Sequence, residues 1–152
     1  MIETPPPAAP TRYEGLVTRA IAFAVDAAII DLIALLVGVV VGLALSILTI
    51  HDSLKVALVA VGGVAFVIWS AGYFVVFWST TGQTPGSRLM QIRVRTEDGS
   101  RLRPRRALLR FGALILAALP LFAGFLPVLV DDRRRGVHDM LARTVVVAAP
   151  RT

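Results

Sequence analysis

Ala20-Ile-Ala-Phe-Ala-Val-Asp26-Ala-Ala-Ile-Ile-Asp31-Leu-Ile-Ala-Leu-Leu-Val-Gly38-Val-Val-Val-Gly42 opens the first of three long apolar runs in this chain. Two aspartates stand inside it. An ionisable carboxylate in hydrocarbon is costly unless it is paired, protonated or wetted. A chain that keeps two must neutralise them with a partner or use them. The run extends from Ala20 to Ile50, with Asp26 and Asp31 as its only charges. As one helix it would reach about 46 Å, more than the ~30 Å of a bilayer core. Two registers are open. Either the core begins near Ala22, with Asp26 about a turn deep, or the span is Leu32–Ile50 and both aspartates lie at the interface. Hydropathy alone slightly favours the second.

The wider composition agrees with a membrane protein. The chain is 152 residues long and 56% hydrophobic, with mean hydropathy +0.74. A soluble domain is nearer 45–50% apolar, and here the excess is gathered in blocks. Cysteine is absent, which excludes disulfides, thiolate metal sites and thiol nucleophiles. The net charge is +6. In a soluble protein that would suggest nucleic acid; beside these runs it points to membrane topology and to anionic lipid headgroups as partner. Residues 1–14 are Pro-rich and read as a disordered tail, not a cleavable signal.

Run two, Val56–Trp78, carries no charge and follows the short polar turn His51-Asp52-Ser53, so runs one and two form a helical hairpin. Tyr73 and Trp78 lie toward its end, where aromatic belts occur. Gly38 and Gly42 form a GxxxG, and Gly62-Gly63 and Ala71-Gly72 give run two small faces. Close backbone approach between the helices, or to a second copy, is one reading; the ordinary glycine richness of membrane helices is the other.

Residues 79–106 form a polar connection. Gly82-Gln-Thr84-Pro85-Gly86 has turn chemistry, since Pro85 fixes φ and the glycines permit positive φ. Met90, Ile92 and Val94 alternate with polar residues and predict a short strand. Asp98-Gly99 signals a hairpin with a possible return over Arg101–Arg103, and Thr144–Val147 is a second strand-like run. Run three, Ala107–Val130, contains Arg110, Pro120 and Pro127. It is either one kinked span or a re-entrant pair of half-helices turning near Pro120–Gly124.

Charge counting bears on that choice. The connection 79–110 holds eight arginines and the segment after run three holds five, whereas the 51–55 turn has only Lys55. The positive-inside rule puts the N-terminus and the arginine-rich connection in the cytoplasm. Three full spans would leave Arg133-Arg134-Arg135 outside, so the re-entrant arrangement is favoured. Its turn must then be buried in protein or face water. The predicted class is therefore an all-α membrane protein: a two-helix hairpin, a third re-entrant or kinked segment, and a small β element at the cytoplasmic surface. The sequence predicts one membrane domain over 15–149.

Arg19 and Asp26 are seven residues apart, on nearly one helical face but about 10 Å apart along the axis. Arg19 is expected to snorkel toward the interface, leaving Asp26 in need of another partner. Asp131-Asp-Arg-Arg-Arg-Gly-Val-His138-Asp139 is the densest charged stretch. It is either a solvated interfacial segment or one that folds back on the first helix and supplies cations or His138. His51 and His138 show no metal-ligand spacing. An enzyme is not expected, nor a cofactor, a metal or a nucleic-acid partner.

Three separated elements together resemble the RDD family of small membrane proteins. They are Arg19-Ala-Ile-Ala22-Phe-Ala-Val-Asp26; Gly82-Gln-Thr84-Pro85-Gly86 followed by Ile92-Arg93-Val94; and Arg134-Arg135-Gly-Val-His138-Asp139 followed by Thr144–Val147. Arg88 stands where the family usually has Lys. The resemblance runs from about Tyr13 to Val147. It implies that the naming trio is Arg19, Asp26 and Asp139, with Asp31 an extra, and it favours the register with Asp26 inside the membrane. It also implies a role in transport of undefined ligands, in some members cation/proton exchange, or a place in larger membrane assemblies.

The leading expectation is a bacterial cytoplasmic-membrane protein, multi-pass with its N-terminus inside. In it Asp26 would bind a cation or exchange a proton, with Arg19, His138 and Asp139 as its gate or charge partner. The alternative is a non-transporting accessory or assembly subunit whose Arg/Asp network is structural. Two or three segments from one chain enclose a pathway poorly, so either role calls for a homo-oligomer or a larger complex.

Overall fold

The apolar runs become two long helices, α1 (Leu16–Ser46) and α2 (Asp52–Thr80); Asp52 and Ser53 of the expected polar turn form the first turn of α2, with His51 at its N-cap. The computed structural model describes residues 12–48, 51–120 and 123–149. Most of the expected tail (1–11), the end of run one (49–50) and part of the run-three turn (121–122) lie outside them. α1 and α2 are each long and apolar enough to cross a membrane. Each is buried at one end only. In α1 the buried residues are Arg19, Ala22, Asp26 and Ile30, a single stripe at helical spacing; in α2 they are Phe74 and Trp78.

The polar connection follows α2. It contains α3 (Pro85–Leu89) and β1 (Ile92–Thr96), then α4 (Pro104–Ala118). Pro85 and Pro104 each sit in the first turn of their helix, where a missing N–H costs nothing. A 3-10 segment (Ala123–Leu129) leads into α5 (Val137–Ala142) and β2 (Thr144–Ala148). β1 and β2 pair antiparallel, with Val94 opposite Val146. Ile92, Val94 and Thr96 point inward and Arg93 and Arg95 outward, the period of two seen in the sequence.

Tyr13 forms a bridge with Val147, and Glu14 N donates to Val146 O. Residues 13–14 therefore belong to the folded unit, against the reading of a tail through residue 14. The return strand expected at Arg101–Arg103 does not form. Gly99 does turn, at φ +79°, but Leu102 drops into the core at 2% exposure and Pro104 starts a helix. The edge of β1 is filled by β2 instead.

Run three is not one straight span. The axes of α4 and the 3-10 segment differ by 104°. A Cβ on Gly124 would lie 2.5 Å from Ala117 Cβ, so the bend closes only over glycine. A broken span and a re-entrant loop both have this form, and beyond it the chain returns to the sheet through α5 and β2.

The core sits where the buried ends of α1 and α2 meet the sheet and α4. Phe74 is its hub, with ring centroids 5.7 Å from Phe23, 5.0 Å from Trp78 and 5.7 Å from Phe111. α1 packs chiefly on α3, and α2 on α4. α1 and α2 touch through Phe23–Phe74 and Asp26–Tyr73. A Cβ at Gly38, Gly42, Gly62, Gly63 or Gly72 would meet nothing within 4 Å among the described residues. The GxxxG thus makes no close approach among the described residues.

Candidate functional site

Asp26, only 2% exposed, lies inside protein and not against lipid. Its partners come from the Gly-Gln-Thr-Pro-Gly turn and from α2. Tyr73 Oη donates to Asp26 Oδ1 at 2.8 Å, Gly86 N donates to Oδ1 at 2.8 Å, and Thr84 Oγ1 donates to Oδ2 at 2.5 Å. All three donors are neutral, so the counter-charge expected to reach Asp26 directly is not what holds it.

Each residue of the turn has a physical task. Gly82 adopts φ +75°, and a Cβ there would lie 2.7 Å from Val94 O. Gln83 Nε2 donates to Ile92 O at 2.9 Å, fastening the turn to β1. Thr84 caps α3 by accepting from Ser87 N at 3.2 Å. Pro85 presets the first helical φ. Gly86 allows contact with α1: a Cβ there would stand 2.1 Å from Ala22 O and 2.9 Å from Asp26 Cγ.

The second centre is an arginine–aspartate–arginine triad. Asp139 is fully buried on α5. Its Oδ2 accepts from Arg19 and from Gly136 N, the latter at 3.0 Å; its Oδ1 lies 2.5 Å from Arg110 Nη1. Arg19 spends its other donors on Arg134 O at 2.6 Å and Glu14 O at 3.2 Å. It is 4% exposed, so it pairs inside protein where snorkelling was expected. Arg110 Nη1 also donates to Thr144 Oγ1 at 2.5 Å, and its guanidinium lies 4.9 Å from the centre of the Trp78 ring. Burial alone would push the Asp139 carboxyl up. Arg110, His138 and Arg19 outweigh it and hold it down, at about 2.

His138 packs on Phe125, ring centroids 4.9 Å apart. Its Nε2 is 3.6 Å from Asp139 Oδ2, too far for a hydrogen bond. Burial pushes its pKa down to about 4, with Asp139 opposing and Arg110 and Arg19 reinforcing the shift. The imidazole is neutral near pH 7 and is not one of the cations.

Arg19, Asp26 and Arg110 wall one cavity of about 20 Å³, with Thr84, Ser87 and Trp78. Counted as formal charges, two guanidiniums and two carboxylates balance across this centre. A buried ion cluster persists only when geometry and hydrogen bonds offset desolvation, and both carboxylates here meet that condition.

Of the expected site residues, Arg19, His138 and Asp139 come together, and Asp26 joins them across the cavity. Gly82, Thr84, Pro85 and Gly86 form the Asp26 cradle. Asp31 does not belong. It is exposed on α1, outside the buried stripe, because 140° of helix separate it from Asp26. Asp26 meets the Gly-Gln-Thr-Pro-Gly turn; the last buried residue of α1 is Ile30, and Leu32, Leu35 and Leu36 beyond it are exposed. Arg110 and Tyr73 were missed. Arg110 gave the same signal as Asp26, an ionisable side chain within an apolar run; Tyr73 was read only as part of an aromatic belt.

Two membrane-length helices that meet a buried arginine–aspartate cluster at one end define a small helical membrane protein. The chain belongs to the RDD family, whose family model matches residues 13–143. Neither the curated proteins nor the solved structures contain a match.

Proposed function

We propose that this chain is an accessory or assembly subunit of a membrane complex, and that its Arg/Asp network is a structural lock. The observation that carries this reading is the contrast between the two ends of the helices. At the sheet end, every donor to Asp26 and Asp139 comes from the chain's own turns and helices. At the other end, only 6% of the most apolar stretch of α1 and none of that of α2 is buried. The lock sets the directions of two helices whose flanks are free for lipid and for partner helices.

The geometry supports ion or small-solute transport less well. Asp26 is ringed by donors, whereas a bound hard cation needs several oxygen acceptors. Two guanidiniums wall the adjoining cavity, which is one water in size. Cation/proton exchange at Asp26 would have to displace this arrangement.

In this reading α1 and α2 cross a bacterial cytoplasmic membrane. The N-terminus, the sheet and the C-terminal segment are cytoplasmic, and exposed Arg101, Arg103, Arg105 and Arg106 meet anionic headgroups. The test compares Asp26→Asn with the parent chain in membranes. Lower abundance and loss of higher-mass assemblies in native mass spectrometry are expected. A variant that folds and assembles normally but abolishes an ion flux measured in liposomes would overturn the reading in favour of transport.

A further inference from the structure

Asp31 is the midpoint of α1 and stands exposed on it. No hydrogen bond or ion pair reaches its carboxylate from the described residues. The part of α1 beyond it, residues 32–46, is about 22 Å long, short of the ~30 Å of a bilayer core. A bilayer matched to the helix therefore takes in Asp31, where an unpaired carboxylate is costly. At about 100° per residue, Ala20, Ala24, Ala27, Gly38 and Gly42 fall within about 40° of Asp31 and share its face. All five are exposed. The buried stripe of α1 lies on the other side, about 100–180° around the helix. A Cβ on Gly38 or Gly42 would meet nothing within 4 Å among the described residues. The outer face is thus lined by hydrogens and methyl groups, with one charge at its centre.

We propose that this face seats one transmembrane helix of a partner protein, and that the partner carries an arginine or lysine level with Asp31. The proposal rests on the assembly reading and names the chemistry of the partner. Small side chains let two helix backbones approach closely, and that approach brings the partner's cation to the carboxylate. A second copy of this chain fits less well. Two-fold packing of parallel helices through this face would set each Asp31 against its mate, and like charges repel strongly at low dielectric. An antiparallel copy would reverse the arginine distribution across the membrane. A hard metal cation takes about six to eight oxygen ligands, whereas Asp31 belongs to no cluster of three or more His, Asp or Glu among the described residues.

The test places the full chain, donor-labelled at a cysteine replacing Arg12, in liposomes with an acceptor-labelled leucine–alanine transmembrane peptide. One peptide carries a single arginine level with Asp31; the other has leucine there. Energy transfer should show the arginine peptide binding about tenfold more tightly, the scale of one interhelical polar contact. Asp31→Leu should remove that preference. Equal binding of the two peptides to the parent chain, or binding of neither, overturns the proposal. Energy transfer between two copies of the parent chain that Gly38→Leu abolishes assigns the face to a second copy and overturns it as well. In native membranes Asp31→Leu should lose the higher-mass assemblies with an unchanged Tm. A variant that keeps them overturns the proposal and leaves the assembly reading standing. A parent chain that forms no such assemblies overturns the assembly reading, and the proposal with it.

Discussion

Asp139 is the centre of the buried cluster, because two arginines distant in sequence, one from α1 and one from α4, share its carboxylate. Asp139→Asn leaves two buried guanidiniums without their anion, and breaking a buried pair costs about 3–5 kcal/mol. Thermal unfolding in detergent should register that loss. Replacing Arg19, Arg110 and Asp139 together by Met, Leu and Leu should recover most of it, since the desolvation cost disappears with the charges. If the triple variant is no more stable than Asp139→Asn, the triad contributes something other than charge neutralisation. His138 predicts a pH dependence. Its folded pKa, about 4, lies below the ordinary 6.5, so the unfolded chain takes up the proton first as pH falls. This contribution to stability is complete above pH 6.5 and is lost progressively down to about pH 4. At about 1.4 kcal/mol per unit, the loss is on the order of 3 kcal/mol. His138→Leu should flatten the Tm profile over that window; a profile equally steep in the variant would assign the slope to other groups. Asp139 acts lower: its carboxyl is held at about 2, so its contribution fades only as pH falls from about 4 toward 2. At this scale Arg19 and Asp26 were legible because ionisable residues stand out in or beside apolar runs, whereas Asp139 was singled out by its charged stretch and by the family resemblance. Which donor meets which carboxylate was not, since Arg19 and Asp139 are 120 positions apart and Asp26 and Gly86 are 60.

Among the helices, α3 is the shortest, at five residues. Its docking on α1 depends on Gly86, where a Cβ would lie 2.1 Å from the Ala22 carbonyl oxygen. Gly86→Ala should push α3 off α1 and loosen the two hydrogen bonds that Thr84 and Gly86 donate to Asp26. The cost belongs at or above the upper end of the roughly 1–3 kcal/mol that overpacking exacts. Gly112→Ala is the control, because a Cβ there meets nothing within 4 Å among the described residues. Equal Tm losses in the two variants would mean that the contact at Gly86 is unimportant. The apolar runs showed α1 and α2 plainly, through length and hydropathy. Alternation over Ile92–Thr96 showed β1 equally well, because one face of that strand is buried. The partner of β1 was harder to read. Asp98-Gly99 is a strong local turn signal, yet the next segment carries Leu102 into the core and a proline that begins α4. Local turn chemistry lost to a distant strand with better apolar complementarity, Val94 facing Val146.

For the whole molecule, the pairing of β2 with β1 and of Val147 with Tyr13 requires the chain's beginning and its last strand to lie on one side of the membrane. The absence of native cysteine makes this simple to check. Single cysteines at Arg12, Asp98 and Ala149 should react with an impermeant maleimide from the same face, and one at Ser53 from the other. Labelling of position 149 from the Ser53 face would dismantle the sheet and the triad together. The positive-inside count predicts the same sidedness, because arginines flank both ends of run three. The free flanks of α1 and α2 were not legible: hydropathy alone cannot distinguish a helix that faces lipid from one that packs on a neighbour. The long loop closed by Arg19 and Asp139 also sets a timetable. Arg19 leaves the ribosome 120 residues before the carboxylate that neutralises it. At about 5–20 residues per second, the first helix must wait on the order of ten seconds with its guanidinium unmatched. A nascent chain stalled before Val137 should therefore be cleaved readily by membrane proteases, while one that has released Thr144–Ala148 resists them. Equal lifetimes for the two would show that the early helix finds shelter elsewhere, in the translocon or on a chaperone.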